Sequence, residues 1–274
     1  MATSTPPKPT GAQLEPPPEL FYQVHNPTGK ETILLIHGAC GSSIGWREVI
    51  PALIEKDYHI LAPDLPSHGN SLSIQPFTVE YSAKLIINLI IKYAKNSRAH
   101  VVGLSLGAHI TACIAEQAAP GTIQSIIAAG YNNIPRSRYL IPLIAPTSYV
   151  LHHLVSFAQG PSKEVAQVLN GEASYGLIAE VARVIFQPRA LGEIPVKSLV
   201  ICAGSKDNWI TRDNSESSKK LFEMVVGGKE GGSRVVVHDG IKHAWHVLSP
   251  ELFSQTVLNW VRGEPLDSGF QDIE

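Results

Sequence analysis

Short runs that are nearly continuous in Val, Ile and Leu alternate along the chain with longer stretches of 3.6-residue apolar periodicity. The runs at 20–25, 32–36, 59–62, 100–104, 124–129, 198–203 and 234–238 predict strands, and most are nearly continuous in Val, Ile and Leu, as expected for strands buried on both faces. The stretches 43–55, 79–95, 106–116, 212–224 and 249–261 predict helices. At the last of these, Ser249-Pro250-Glu251 sets a capping hydroxyl, a first-turn proline and an acid where a helix start favours them. Strand–helix alternation of this kind predicts an α/β fold: a mostly parallel central sheet with helices on both faces.

One interval breaks the rhythm. Residues 132–195 carry helical apolar patterns and no convincing strand, which predicts an inserted helical cap. Within it, residues 139–162 hold no Asp, Glu, Lys or Arg, so the cap is expected to pack over the body and to line an apolar pocket. The core is then expected over 19–131 and 196–262. Residues 1–18 contain six prolines without periodicity and read as a disordered or extended leader. The polar residues 263–274 read as a flexible tail.

With 274 residues, 44% of them hydrophobic, the chain can bury a sizeable core, which excludes a mostly disordered protein. The formal net charge of −2, without a basic block, argues against a nucleic-acid partner. The leader lacks an apolar segment, and no run of 18 apolar residues occurs, so neither a secretory signal nor a membrane span is expected. Three scattered cysteines, Cys40, Cys113 and Cys202, fit neither a disulfide framework nor a zinc ribbon. A reducing, cytoplasmic setting is the expectation. A small-molecule substrate is expected, and a second copy of the chain remains an open partner.

The chemistry gathers at Gly103-Leu104-Ser105-Leu106-Gly107, between the fourth run and the third helical stretch. Squeezed there, Ser105 is expected on a sharp turn, with glycines two before and two after relieving clashes. Its hydroxyl then projects from the carboxyl edge of the sheet, and the helix start behind it favours developing negative charge. Such a hydroxyl needs a base, and the base an orienting acid. Asp207, in the turn Gly204-Ser205-Lys206-Asp207 after a later strand, is the first choice, with Asp213 and Asp64 behind it. His243, mid-loop after the last strand, is favoured as base over His238 and His246.

These residues resemble the α/β-hydrolase fold family, whose nucleophile–acid–base order Ser105, Asp207, His243 reproduces. Residues 33–39, ending His37-Gly38-Ala39, are similar to that family's strand and His-Gly turn. Trp46, Ala62-Pro63-Asp64-Leu65, His68-Gly69-Asn70-Ser71 and the closing His243 through Phe253 match too. Pro66-Ser67 departs from a position where the family often has glycine. The resemblance implies an oxyanion hole from the backbone amides of Ala39 and Leu106. His37 and Asp64 read as loop anchors. His37, Cys40 and His246 are expected beside the substrate, although a buried cysteine also serves as a small hydrophobe.

A serine rather than an aspartate at the turn suits acyl transfer. The expectation is a serine hydrolase of a carboxylic ester, lactone or thioester of a small apolar molecule, needing no metal or organic cofactor. Relatives in the family also act as lyases, cyclases or acyltransferases, and others as small-molecule receptors. Both classes stay open on the sequence alone.

Overall fold

The computed structural model describes residues 18–133, 146, 174–186, 190–205, 213–228 and 232–274. The leader at 1–17, most of the expected cap including the uncharged stretch 139–162, and Asp207 lie outside the described residues.

All seven predicted strands form: β1 (Tyr22–His25), β2 (Glu31–Ile36), β3 (Tyr58–Pro63), β4 (Ala99–Leu104), β5 (Ile123–Ala129), β6 (Lys197–Ala203) and β7 (Arg234–His238). An eighth, β8 (Gln271–Asp272), pairs antiparallel with β7. The sheet order is β1-β3-β2-β4-β5-β6-β7-β8, parallel throughout except for the two outer strands. Strands β3 and β4 are buried at every position, as their unbroken apolar runs require.

Helices cover both faces. Apolar side chains of α1 (Ile50–Glu55) and α7 (Pro250–Arg262) pack with Trp46 and Trp245 on one side of the sheet. Those of α2 (Val79–Tyr93), α3 (Leu106–Gln117) and α5 (Ser215–Glu223) form the core of the other, which α4 (Tyr175–Phe186) joins from within the cap interval. A single turn, α6 (Trp245–Leu248), precedes α7.

Several boundaries differ from the sequence reading for local reasons. The stretch 43–55 splits into a 3-10 turn at Ser43–Trp46 and α1, because Pro51 lacks an N–H and stands at a helix start. Ser249 precedes α7 but its side chain makes no capping bond; Pro250 and Glu251 do occupy the first turn. Residues of the expected flexible tail form β8 and pack on the core. Phe270 is buried against Trp245 and His238, and Arg234 grips Asp272 at 2.8 and 2.9 Å. One aromatic among polar neighbours carries no periodicity, which is why the sequence concealed this.

Candidate active site

The turn from β4 into α3 puts Ser105 at φ +56°, ψ −115°, a conformation that costs a non-glycine residue about 1–3 kcal/mol. Neighbouring contacts hold it there: the Ser105 amide donates to the Ala129 carbonyl at 2.8 Å. The two flanking glycines are sterically obligatory. A Cβ on Gly103 would stand 2.2 Å from the Gly107 carbonyl oxygen and the Thr111 hydroxyl, and one on Gly107 would stand 2.3 Å from the Ile36 oxygen. Within the turn, Ser105 is partly exposed while its neighbours are buried.

The His37-Gly38-Ala39 turn lies against the serine; a Cβ on Gly38 would sit 3.3 Å from that of Ser105. Two imidazole bonds brace it. His37 Nδ1 bonds the Gly38 carbonyl at 2.7 Å, and His37 Nε2 accepts from the Leu65 amide at 3.0 Å. Accepting at Nε2 leaves the proton on Nδ1 and requires a neutral ring. Burial pushes the His37 pKa below its usual value, against the opposing pull of the Gly38 bond and Asp64. Asp64, fully buried, accepts from the Ser43 amide at 2.6 Å and the Asn70 amide at 2.8 Å, tying two loops together. Both residues therefore anchor loops. Ala39 follows Gly38 in the turn that the Gly41 amide closes on the Gly38 carbonyl, and Leu106 opens α3, where a helix start leaves the first amides without an intrahelical acceptor.

The last strands supply the base side. His243 lies in the loop between β7 and α6, and its Nδ1 bonds Asp213 Oδ1 at 2.5 Å. Asp213 is buried; its Oδ2 accepts from the Ala203 amide at 2.9 Å, at the end of β6. Burial alone would lower the His243 pKa, but the charge and hydrogen bond of Asp213 outweigh it and hold the pKa above 6.5. The ring also presses on Gly130, where a Cβ would lie 2.8 Å from its Cε1. The Ser105 amide bonds Ala129 and the His243 ring touches Gly130, so both residues flank the end of β5. No hydrogen bond joins the Ser105 hydroxyl to His243 among the described residues.

Of the expected acids, the structure brings Asp213 to His243, whereas Asp207 lies outside the described residues. The sequence reading puts Asp207, in the turn after a later strand, first, and runs a helix from 212 through Asp213. A helix from 212 would lock its side chain into a first turn, but α5 starts only at Ser215, capped by the Asn214 side chain on the Glu216 amide. That leaves Asp213 in extended chain returning toward β6. The sequence Asp213-Asn214-Ser215-Glu216 held a signal for this, since Asn214 is a strong N-cap and displaces the helix start past Asp213.

His246 packs between Trp46 and Phe253, with ring centroids 4.9 and 6.2 Å away. Burial, aided by the charge of His243, pushes its pKa down to about 3, so it stays neutral. Cys40 is buried in the core at φ +56°, and burial raises its thiol to about 11, which suppresses the thiolate. Neither residue, nor His37, borders the cleft described next.

That cleft, of about 200 Å³, opens between α2, α3 and α4; Phe77, Val79, His109, Tyr131, Val184 and Leu191 line it together with the charged Glu80, Glu180 and Arg183. His109 lies one helical turn beyond Ser105 and stacks on Tyr131 at 4.2 Å. Burial lowers its pKa to about 4, so this ring stays uncharged near neutrality. Among the described residues no group of three or more His, Cys, Asp or Glu could hold a metal ion, and no helix is long and apolar enough to cross a membrane.

Comparison with known proteins sharpens the reading. Residues 33–256 match the model of the alpha/beta hydrolase family. An AB hydrolase superfamily protein of Gibberella zeae is 37% identical over 254 residues, covering 93% of this chain and 88% of its own length. Among solved structures, an esterase from Exiguobacterium antarcticum superposes with a TM-score of 0.69 at 17% identity, covering 89% of this chain and 95% of its own. The enol-lactonase from Burkholderia xenovorans does so with a TM-score of 0.68 at 17% identity, covering 89% and 96%. At such identities these two structures speak for the fold alone.

Proposed function

Because the chain belongs to the alpha/beta hydrolase family, we propose that it is a serine hydrolase in which Ser105 attacks the carbonyl of a small carboxylic ester, lactone or thioester. The single observation that carries this reading is the bond from His243 Nδ1 to Asp213. A carboxylate there fixes the proton on Nδ1 and leaves the Nε2 lone pair as the base. In this reading Asp213 takes the role expected of Asp207.

As Ser105 Oγ bonds the carbonyl carbon, its proton passes to His243 Nε2. The carbonyl oxygen becomes an oxyanion that the Ala39 and Leu106 amides stabilise. Asp213 stabilises the imidazolium, which then gives its proton to the departing alkoxide or thiolate as the tetrahedral intermediate collapses. Water, deprotonated by His243, attacks the acyl-enzyme and releases the acid. The missing hydroxyl–imidazole bond is of the kind that tightens when substrate arrives. The apolar part of the cleft lining, Phe77, Val79, Val184 and Leu191, supports an apolar group on the substrate, beside the charged Glu80, Glu180 and Arg183.

A fluorophosphonate probe followed by intact-mass measurement tests the reading, with an ester and lactone panel beside it. One label on the wild type, absent from Ser105→Ala, together with turnover of a panel member, is expected. An unlabelled protein would favour a receptor; a labelled protein that turns over no panel member would favour a lyase or cyclase.

A further inference from the structure

Three consecutive residues, Tyr131, Asn132 and Asn133, lead the chain from β5 into the cap interval, and each is bound to a different part of the core. Tyr131 stacks on His109 of α3. Asn133 clasps Ser217 of α5, its amide donating to the hydroxyl at 3.0 Å and its carbonyl accepting from it at 2.8 Å. Between them, the Asn132 side-chain Nδ2 donates to Asp213 Oδ1 at 3.3 Å, and its Oδ1 accepts from the Asn214 amide at 2.8 Å. Only one orientation of a side-chain amide satisfies both: a carboxylate needs the NH2 group and a backbone N–H needs the oxygen. The Asn132 amide is therefore held from both ends.

We propose that Asn132 is a positioning residue for the acid, fixing the Asp213 carboxylate in the orientation that meets His243. The proposal rests on the reading of Asp213 and His243 given above. Among the described residues Asp213 Oδ2 accepts only from the Ala203 amide, a bond about which the carboxylate can still swivel. The Asn132 donor on Oδ1 removes that freedom and leaves His243 sharing the same oxygen. The Asn132–Asn214 bond also holds the extended segment that carries Asp213 short of α5. The entrance to the cap and the acid are thus one mechanical unit.

The titratable groups facing His243 among the described residues are Asp213 and His246, and His246 stays neutral over the range that matters. A charge introduced at residue 132 is therefore reported by His243 with little competition. Asn132→Asp keeps an acceptor for the Asn214 amide and turns the donor toward Asp213 into a second carboxylate. Asn132→Leu removes both bonds at similar size.

The test is titration of the His243 imidazole by NMR in the full chain, alongside kcat and KM on whichever ester or lactone the wild type hydrolyses. In Asn132→Asp the His243 midpoint should rise by about one pH unit, since added negative charge favours the imidazolium. In Asn132→Leu kcat should fall about tenfold with KM little changed, because alignment is lost while the cleft is not. An unmoved midpoint in Asn132→Asp, or an unchanged kcat in Asn132→Leu, would overturn the proposal. Asn132→Asp retains the loop bond and so keeps the test open if the leucine variant fails to fold. Failure of the underlying reading appears elsewhere, as a Ser105 that takes no fluorophosphonate label in the wild type.

Discussion

The two ends of the sheet hold the same kinds of side chain and put them to different uses. At the amino ends of the strands, His100 Nδ1 meets the Ser125 hydroxyl at 2.8 Å and His59 Nδ1 meets the Thr32 hydroxyl at 2.9 Å, all buried. At the carboxyl ends, His243 and Ser105 flank β5 with no hydrogen bond between them among the described residues. Proximity alone would favour the first pair as chemistry. What separates them is the carboxylate. Burial, reinforced by Lys197 and Arg98 and opposed by Glu31, pushes the His100 pKa down to about 4, so that ring cannot carry a proton near neutrality. Asp213 does the reverse for His243. Ser105 also sits on a strained, partly exposed turn before a helix, whereas Ser125 lies inside a strand.

The sharpest way to break this contrast is mutation at both edges. Ser105→Ala and His243→Ala should each lower kcat by about 10³–10⁶, with little further loss when combined, because the residues act as a unit. Ser125→Ala should leave kcat unchanged. Additive losses in the double variant would undo the comparison. Next in size, Asp213→Asn should slow fluorophosphonate labelling by about 10²–10⁴, whereas Asp207→Asn should change it less than about threefold. The reverse ranking would return the acid's role to Asp207.

The pH dependence follows with opposite signs at the two edges. The base works when neutral, so kcat/KM should rise with pH to a midpoint above 6.5, and a flat profile from pH 5 to 8 would contradict His243 as base. The raised pKa also means that the His243–Asp213 pair stabilises the fold fully below pH 6.5 and loses that contribution as pH rises through the folded value. His100, with a depressed pKa, does the opposite: its contribution is present above pH 6.5 and is lost as pH falls toward about 4. Urea titrations at pH 7 and 4.5 should therefore show a smaller acid loss in His100→Gln than in the wild type. The smallest effect is that of Ser125→Ala, which leaves a buried ring nitrogen unpaired and should cost about 1–3 kcal/mol of stability.

Much of this was readable from the chain. The six inner strands, β2 to β7, formed because runs rich in Val, Ile and Leu can be satisfied only between two layers of helix, whereas β1, YQVH, lies at the sheet edge and is not buried. Gly103 and Gly107 announced positions too tight for a Cβ, which would stand 2.2 and 2.3 Å from a backbone oxygen at the two sites. Less legible was the split of 43–55, where Gly45 and Pro51 compete with helical periodicity, and β8, where a lone Phe270 does the packing.

From its order of residues, the protein drew the parallel sheet, the strained serine and the histidine loop, because periodicity, glycine spacing and turn chemistry are local properties. Which aspartate reaches that histidine was decided only in three dimensions. Asp207 and Asp213 both follow β6; the N-cap at Asn214 is a local signal that frees Asp213, but the bonds of Asp213 to the Ala203 amide and to an asparagine 81 residues upstream are not local. Hydrogen bonds between such distant segments depend on how the chain returns to the sheet, and that path is set by packing of the whole.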